Sequence, residues 1–367
     1  MRFLFAFFIL TSLDAQTRRY TDAEAARIHR SLLLIDTHND VTSNTVKGFD
    51  IGKPSSKTHT DIPRLREGNV GATFFAVYVA ASYAKESTAA HRTLQMIDTV
   101  RHDILEKYPN DFQFAGTADE ILAARKKGKM AALMGIEGGH AIEDDLRLLR
   151  SFYALGVRYM TLTHSNNNNW ADSSGAIPEH NGLNTLGRKV ISEMNRIGMM
   201  IDISHVSDKT FYDVLAVTKA PVFASHSSCR ALSNIPRNMT DDMIRALAKN
   251  DGVIQINFGC EFLSQQSADT SPWTGPKGTK RKIVPATLAD AVAHIDHVVK
   301  LVGVNHVGIG SDFDGIECVP VGLEDVSKFP ALTRALLDKG YSPEDLAKIY
   351  SGNLLRVMRA VERVAAK

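Results

Sequence analysis

Residues 32–40 read LLLIDTHND. An apolar run stops on Asp36, His38, Asn39 and Asp40. In an extended segment residues i and i+2 point the same way. His38 and Asp40 therefore aim together from the end of a strand, while Asp36, on the same face, is a deeper supporting group. Seven more β-branched or apolar runs follow: GATFFAVYV (71–79), MAALMGIE (130–137), YMTLTH (159–164), GMMIDISH (198–205), PVFASH (221–226), GVIQINF (252–258) and HVGIGSD (306–312).

Amphipathic stretches separate these runs, at 88–107, 117–127, 142–154, 184–197, 208–216, 240–249 and 287–302, with further helices over 328–338 and 343–364. A first helix begins near Thr21, where TDAEAARIHRS supplies a cap and early acids. Eight strand–helix alternations over this length predict an α/β fold, a (β/α)8 TIM barrel. A doubly wound sheet would alternate too, but would not bring most strand ends to one place. The segments 43–62 and 259–285 are long and polar, and are expected to cover the barrel mouth.

The chain has 43 basic and 41 acidic residues, a net charge of +2. No basic face is demanded, so nucleic acid is not an implied partner. MRFLFAFFIL followed by TSLDAQ reads as a signal peptide over 1–15, leaving 16–367 as one barrel domain that is exported, to a periplasm or the exterior. No cysteine follows the apolar run and the chain ends on a polar amphipathic segment, so no membrane anchor is expected on the mature chain.

Several predicted strand ends carry metal-binding side chains: His38 and Asp40, Glu137 in GIEGGH, His164, His205, His226, and Asp312 in GSDFDG. Any one strand-end histidine is more often a hydrogen-bonded structural residue. Imidazoles and carboxylates converging from five strands are the ligand set of borderline divalent metals, zinc first. The count suggests two ions: His38 and Asp40 on one, His205 and His226 on the other, Glu137 bridging. Gly138 and Gly139 let the backbone turn sharply beside it. Two such cations sharing a hydroxide form a hydrolase arrangement. Asp314 is expected to cap a loop, and His140 to point away.

The sequence resembles the membrane (renal-type) dipeptidases, a peptidase family of the amidohydrolase-like barrels. The matching pieces are DTHND, GIEGGHAI, RYMTLTHSNNNNWADS, IDISHVS, FASHSSCRAL, NIPRNMTDD, GIGSDFDG, GLEDVSKFP and NLLRV, in the family's order over nearly the whole mature chain. The resemblance implies a di-zinc dipeptidase acting on dipeptides with free termini, including L-Xaa-D-Xaa. Two Zn2+ would be held by His38, Asp40, Glu137, His205 and His226, bridged by Glu137 and a hydroxide. Asp312 would be the catalytic acid, taking its proton from the bridging water and passing it to the leaving amine. His164 would contact substrate and steady the oxyanion. Arg237 would hold the substrate carboxylate, a group a guanidinium reads bidentately; Arg230 is its neighbour and competitor. The resemblance also suggests a homodimer.

The chain departs from the family pattern at Gly259, where vertebrate members carry a tyrosine after the NF of strand seven. A substrate contact there is missing or comes from another loop. Of Cys229, Cys260 and Cys318, the first two follow neighbouring strands and are expected to pair, leaving Cys318 free. Two other readings stay open: a related di-zinc amidase, lactamase or metabolite-tailoring hydrolase on the same barrel, and a non-catalytic binding protein, which would have lost ligands.

Overall fold

A computed structural model describes residues 20–275 and 282–365, so the expected signal peptide lies outside the described residues. The strands are β1 (Leu34–Asn39), β2 (Val70–Tyr78), β3 (Phe112–Phe114), β4 (Met130–Glu137), β5 (Val157–Thr161), β6 (Met200–Asp202), β7 (Phe223–Ser227), β8 (Val253–Ile256) and β9 (Val307–Ile309). All pairings are parallel, in the order β1-β2-β4-β5-β6-β7-β8-β9, with β3 paired to β4 off this path. Between β9 and β1 the ring closes through the bridge Asn39↔Phe313. Asp40 N–H donates to Phe313 O at 2.8 Å and Asp312 N–H to His38 O at 3.0 Å, so the closure itself sets Asp312 beside His38 and Asp40. The eight-stranded barrel with surrounding helices agrees with the reading of the sequence. β3 was not expected, because three residues are too short to show alternation.

Every residue of β1 and β4 is buried. A parallel stave is covered on one side by helices and on the other by the barrel interior, which is why these segments read as continuous apolar runs. Helix starts follow local chemistry. Thr21, Thr117 and Thr287 each close a capping box, with Glu24, Glu120 and Asp290 respectively, for helices Asp22–Ser31, Ala118–Lys126 and Leu288–Val302. The helix expected from residue 142 starts only at Leu146, because Gly139–Ile142 form a 3-10 turn and Glu143 and Asp144 take left-handed backbone.

Three of the strands that end earlier than expected leave site residues beyond their ends. His164 lies beyond the end of β5, and His205 and Asp312 lie beyond β6 and β9 with φ of 66° and 62°. These side chains therefore stand on the loops at the mouth rather than in hydrogen-bonded strands. Non-glycine residues in this region cost of order 1–3 kcal/mol and cluster at functional sites.

The cysteine pairing differs from expectation. Cys260 and Cys318 form the disulfide, and Cys229 is free and buried. Cys229 faces outward: its N–H donates to His294 Nδ1 at 3.0 Å, and its thiol lies 3.7 Å from His294 O on the helix behind. Cys260 opens the short helix Cys260–Leu263 and faces the loop after β9, its N–H donating to Cys318 O at 3.1 Å. Both pairings would join neighbouring strand ends, and side-chain direction chooses between them.

Candidate metal centre and substrate cavity

The five expected ligands meet. His38 Nε2 lies 3.1 Å from Asp40 Oδ2 and 3.6 Å from Glu137 Oε2. Glu137 Oε1 lies 3.0 Å from His205 Nε2 and 3.3 Å from His226 Nε2, and those two nitrogens are 3.0 Å apart. One oxygen of Glu137 thus faces the His38–Asp40 pair and the other faces the His205–His226 pair. Triads with ligand atoms within 4.8 Å of one another are His38, Asp40 and Glu137; Glu137, His164 and His205; and His38, His226 and Asp312.

Hydrogen counting fixes two of the rings. Tyr159 has one hydroxyl hydrogen and donates it to Thr37 O at 3.1 Å, so at 2.7 Å it accepts from His38 Nδ1–H. Ser225 donates its hydroxyl to Asp202 Oδ2 at 2.6 Å, and so accepts from His226 Nδ1–H at 2.7 Å. His226, kept neutral by burial, then turns a bare Nε2 lone pair inward, and the His38 ring is set with its Nε2 facing the same cluster. Such outer hydrogen bonds fix the tautomer a metal ligand needs. His38 Nε2 and Asp40 Oδ2 are buried with no hydrogen-bond partner among the described residues. Left so, each would cost about 1–3 kcal/mol; a divalent cation satisfies both. The donor set of neutral imidazoles and carboxylates fits zinc.

Burial shapes the charges here. It pushes His205 and His226 well below the usual imidazole range, keeping them neutral. Burial alone would raise Glu137, but the surrounding histidines, His38 and His164 first, outweigh it and hold Glu137 well below the usual carboxylate range. Burial lifts Asp312 well above that range, with Asp40 and Glu137 adding to it and His38 opposing. Asp312 Oδ2 accepts from Asn257 Nδ2 at 2.8 Å, and its Oδ1 lies 3.9 Å from His38 Nε2.

A cavity of about 500 Å³ opens over these groups, lined among others by Asp40, Glu137, His164, His205 and Asp312. Its size suits a small ligand. The His164 ring stands edge-on to Tyr78, centroids 5.0 Å apart, with Nε2 3.8 Å from Glu137 Oε1. Arg237 is not among the lining residues. It donates to Ser227 Oγ and to His226 O, both at 2.7 Å, with Phe262 stacked 5.5 Å from its guanidinium carbon. Its Nε has no partner among the described residues, and burial lowers it to about 10. Arg230 is engaged elsewhere, held bidentately by Asp208 at 2.8 and 2.7 Å.

The supporting residues behave as read. Asp36 accepts from Ser311 N–H at 2.8 Å and Ser311 Oγ at 2.6 Å. Asp314 accepts from His59 N–H at 2.8 Å and so ties the 43–62 segment to the mouth. His140 turns its Nε2 to Val79 O at 2.8 Å. Tyr159, Ser225, Asp202 and Asn257 were missed; they lie in or next to the expected strands, but their roles rest on partners across the barrel that no local pattern marks. A Cβ on Gly315 would sit 2.5 Å from Asp40 Oδ2 and 2.6 Å from Asp312 Oδ1, so only glycine lets this backbone approach the carboxylates. At Gly259 a Cβ would meet Phe262 at 2.6 Å, so the aromatic ring of the next turn occupies the space a side chain there would need.

Residues 22–367 match the family Membrane dipeptidase (Peptidase family M19). The chain belongs to this family. It is a metallo-dipeptidase of the amidohydrolase-like barrel fold. Among its membrane dipeptidase relatives, an uncharacterized dipeptidase of Schizosaccharomyces pombe is 38% identical over 90% of this chain and 81% of its own. Dipeptidase verJ of Clonostachys rogersoniana is 38% identical over 94% and 88%. Among solved structures, a Rhodobacter sphaeroides metallo peptidase bound to a phosphinate mimic of L-Ala-D-Ala superposes with a TM-score of 0.79 at 26% identity, covering 90% of this chain and 99% of that one. No helix of the described residues is long and apolar enough to cross a membrane.

Proposed function

We propose that this membrane dipeptidase family member is a two-zinc enzyme that cleaves dipeptides with free termini, L-Xaa-D-Xaa among them. The observation that carries the reading is the division of Glu137, one oxygen toward His38 and Asp40, the other toward His205 and His226. When bound, two zinc ions supply Lewis acidity, acidifying a water and polarising the scissile carbonyl. The chain's own groups do the rest. Asp312, oriented by Asn257, takes a proton from the attacking water and hands it to the leaving amine. His164, on the cavity wall, donates to the developing oxyanion. Arg237 supplies positive charge beneath Phe262, and its unpartnered Nε is the donor that reaches the substrate carboxylate once Phe262 shifts. The Rhodobacter sphaeroides relative bound to a mimic of L-Ala-D-Ala supports that substrate class. Export by way of residues 1–15, one catalytic domain over 16–367 and a homodimeric assembly belong to the same reading.

The test is release of D-Ala from L-Ala-D-Ala by zinc-loaded protein, beside a chelated control and Asp312→Asn. Turnover should vanish with chelator and fall by about 10²–10⁴-fold in the variant. Two bound zincs without turnover on any dipeptide, but with turnover on N-acylated amino acids, would move the function to an amidase on the same barrel.

A further inference from the structure

The catalytic cavity has an acidic outer wall that the proposed chemistry does not use. Glu261 and Glu317 both line it. They are brought together by the disulfide: Cys260 immediately precedes Glu261, Cys318 immediately follows Glu317, and the two cysteine Cα atoms are 5.4 Å apart. Glu261 Oε2 is buried with no partner among the described residues. Burial raises the Glu261 carboxyl above its usual range, and the charge of Glu317 adds to the shift. Glu317 makes no ion pair among the described residues. Trp273, 70% exposed, lines the same cavity, as do Phe262 and Ile316. The same cavity holds the candidate metal centre, where Asp40, 4% exposed, keeps an Oδ2 without a partner among the described residues.

Two like charges held close on neighbouring loops repel unless a cation comes between them. An exposed indole on the same cavity adds a ring that attracts cations. A lysine- or arginine-type side chain has the matching form, an apolar stem for Phe262 and Ile316 and a charged head for the glutamates.

Building on the dipeptidase reading, we infer that Glu261 and Glu317, stapled by Cys260–Cys318 and flanked by Trp273, form a specificity subsite for the positively charged side chain of a dipeptide. The subsite selects among substrates; it takes no part in bond cleavage.

The experiment compares L-Ala-L-Lys and L-Lys-L-Ala with their norleucine counterparts, which keep the stem and lose the charge, on the zinc-loaded full chain. The ratio of kcat/KM for lysine over norleucine is read within each preparation, so partial misfolding cancels. Wild type should favour lysine in one of the two orders by on the order of tenfold. Glu261→Gln with Glu317→Gln should bring that ratio toward one, and Glu261→Lys should invert it. A wild-type ratio near one in both orders, or a ratio that survives in the double variant, overturns the proposal. Calorimetric binding of lysine amide against norleucine amide separates this claim from the one beneath it. Selective binding without turnover of any dipeptide would uphold the subsite and sink the dipeptidase reading. Equal binding, with L-Ala-L-Ala still cleaved, would do the reverse.

Discussion

The mouth of the barrel holds two kinds of imidazole. His38 and His226 stand within strands β1 and β7, their side chains 0% and 1% exposed, each ring locked through Nδ1 by a hydroxyl. His164 and His205 stand on loops past the ends of β5 and β6, 21% and 12% exposed, with no Nδ1 partner among the described residues. What positions His205 is its backbone: its carbonyl accepts from Ser174 N–H at 2.8 Å and Thr163 Oγ1 at 3.1 Å. The strand-borne rings are preorganised as ligands before any cation arrives. The loop-borne rings lack such a lock, and for His164 that suits a group proposed to meet a substrate.

The sharpest way to break this contrast is to delete one ring of each kind. His226→Ala should lose bound zinc, to one ion or none per chain by elemental analysis, and should abolish turnover. His164→Ala should keep two zincs and lose kcat; loss of metal there would erase the distinction. Next come the locks. Tyr159→Phe and Ser225→Ala leave the ligands in place but release their tautomers, and each should weaken zinc affinity or activity by about 10–100-fold. Metal titration against a competing chelator measures this, and unchanged affinity in both would show that the hydroxyls are mere packing.

Gly315→Ala addresses the approach of backbone to Asp40 and Asp312. A methyl there forces both carboxylates aside, and misplacement by about 1 Å can cost on the order of 10²-fold in rate. The loss should fall on kcat while melting temperature changes little. The smallest effect is expected far from the mouth. Glu193 pairs with Arg150 at 2.9 Å and Arg196 at 2.7 Å on the outer surface, and these arginines hold it down at about 2. Its folded-state value is depressed, so its contribution is present above the unfolded carboxylate range, near pH 4.3, and is lost as pH falls toward 2. Because the arginines are exposed, Glu193→Gln should cost less than about 1 kcal/mol at neutral pH. Thermal melts of variant and wild type should converge near pH 2.

Much of this arrangement was legible in the chain. Period-two geometry made His38 and Asp40 share a face, and their contact at 3.1 Å bears that out. The runs of β-branched residues marked the eight staves because each is buried on both sides. The ligand types stood at the right ends because a parallel barrel collects all C-terminal strand ends at one mouth.

What the sequence determined by itself was therefore local or periodic: the staves, their order, the helix caps, and which side chains could serve a metal. Only the tertiary structure decided which cysteines pair, where Arg237 spends its donors, and which hydroxyls lock the rings. Those outcomes depend on side-chain direction between residues far apart in the chain, as with Tyr159 and His38 or Cys260 and Cys318. Separations of that length leave no period in the sequence, because such contacts are set by packing in space.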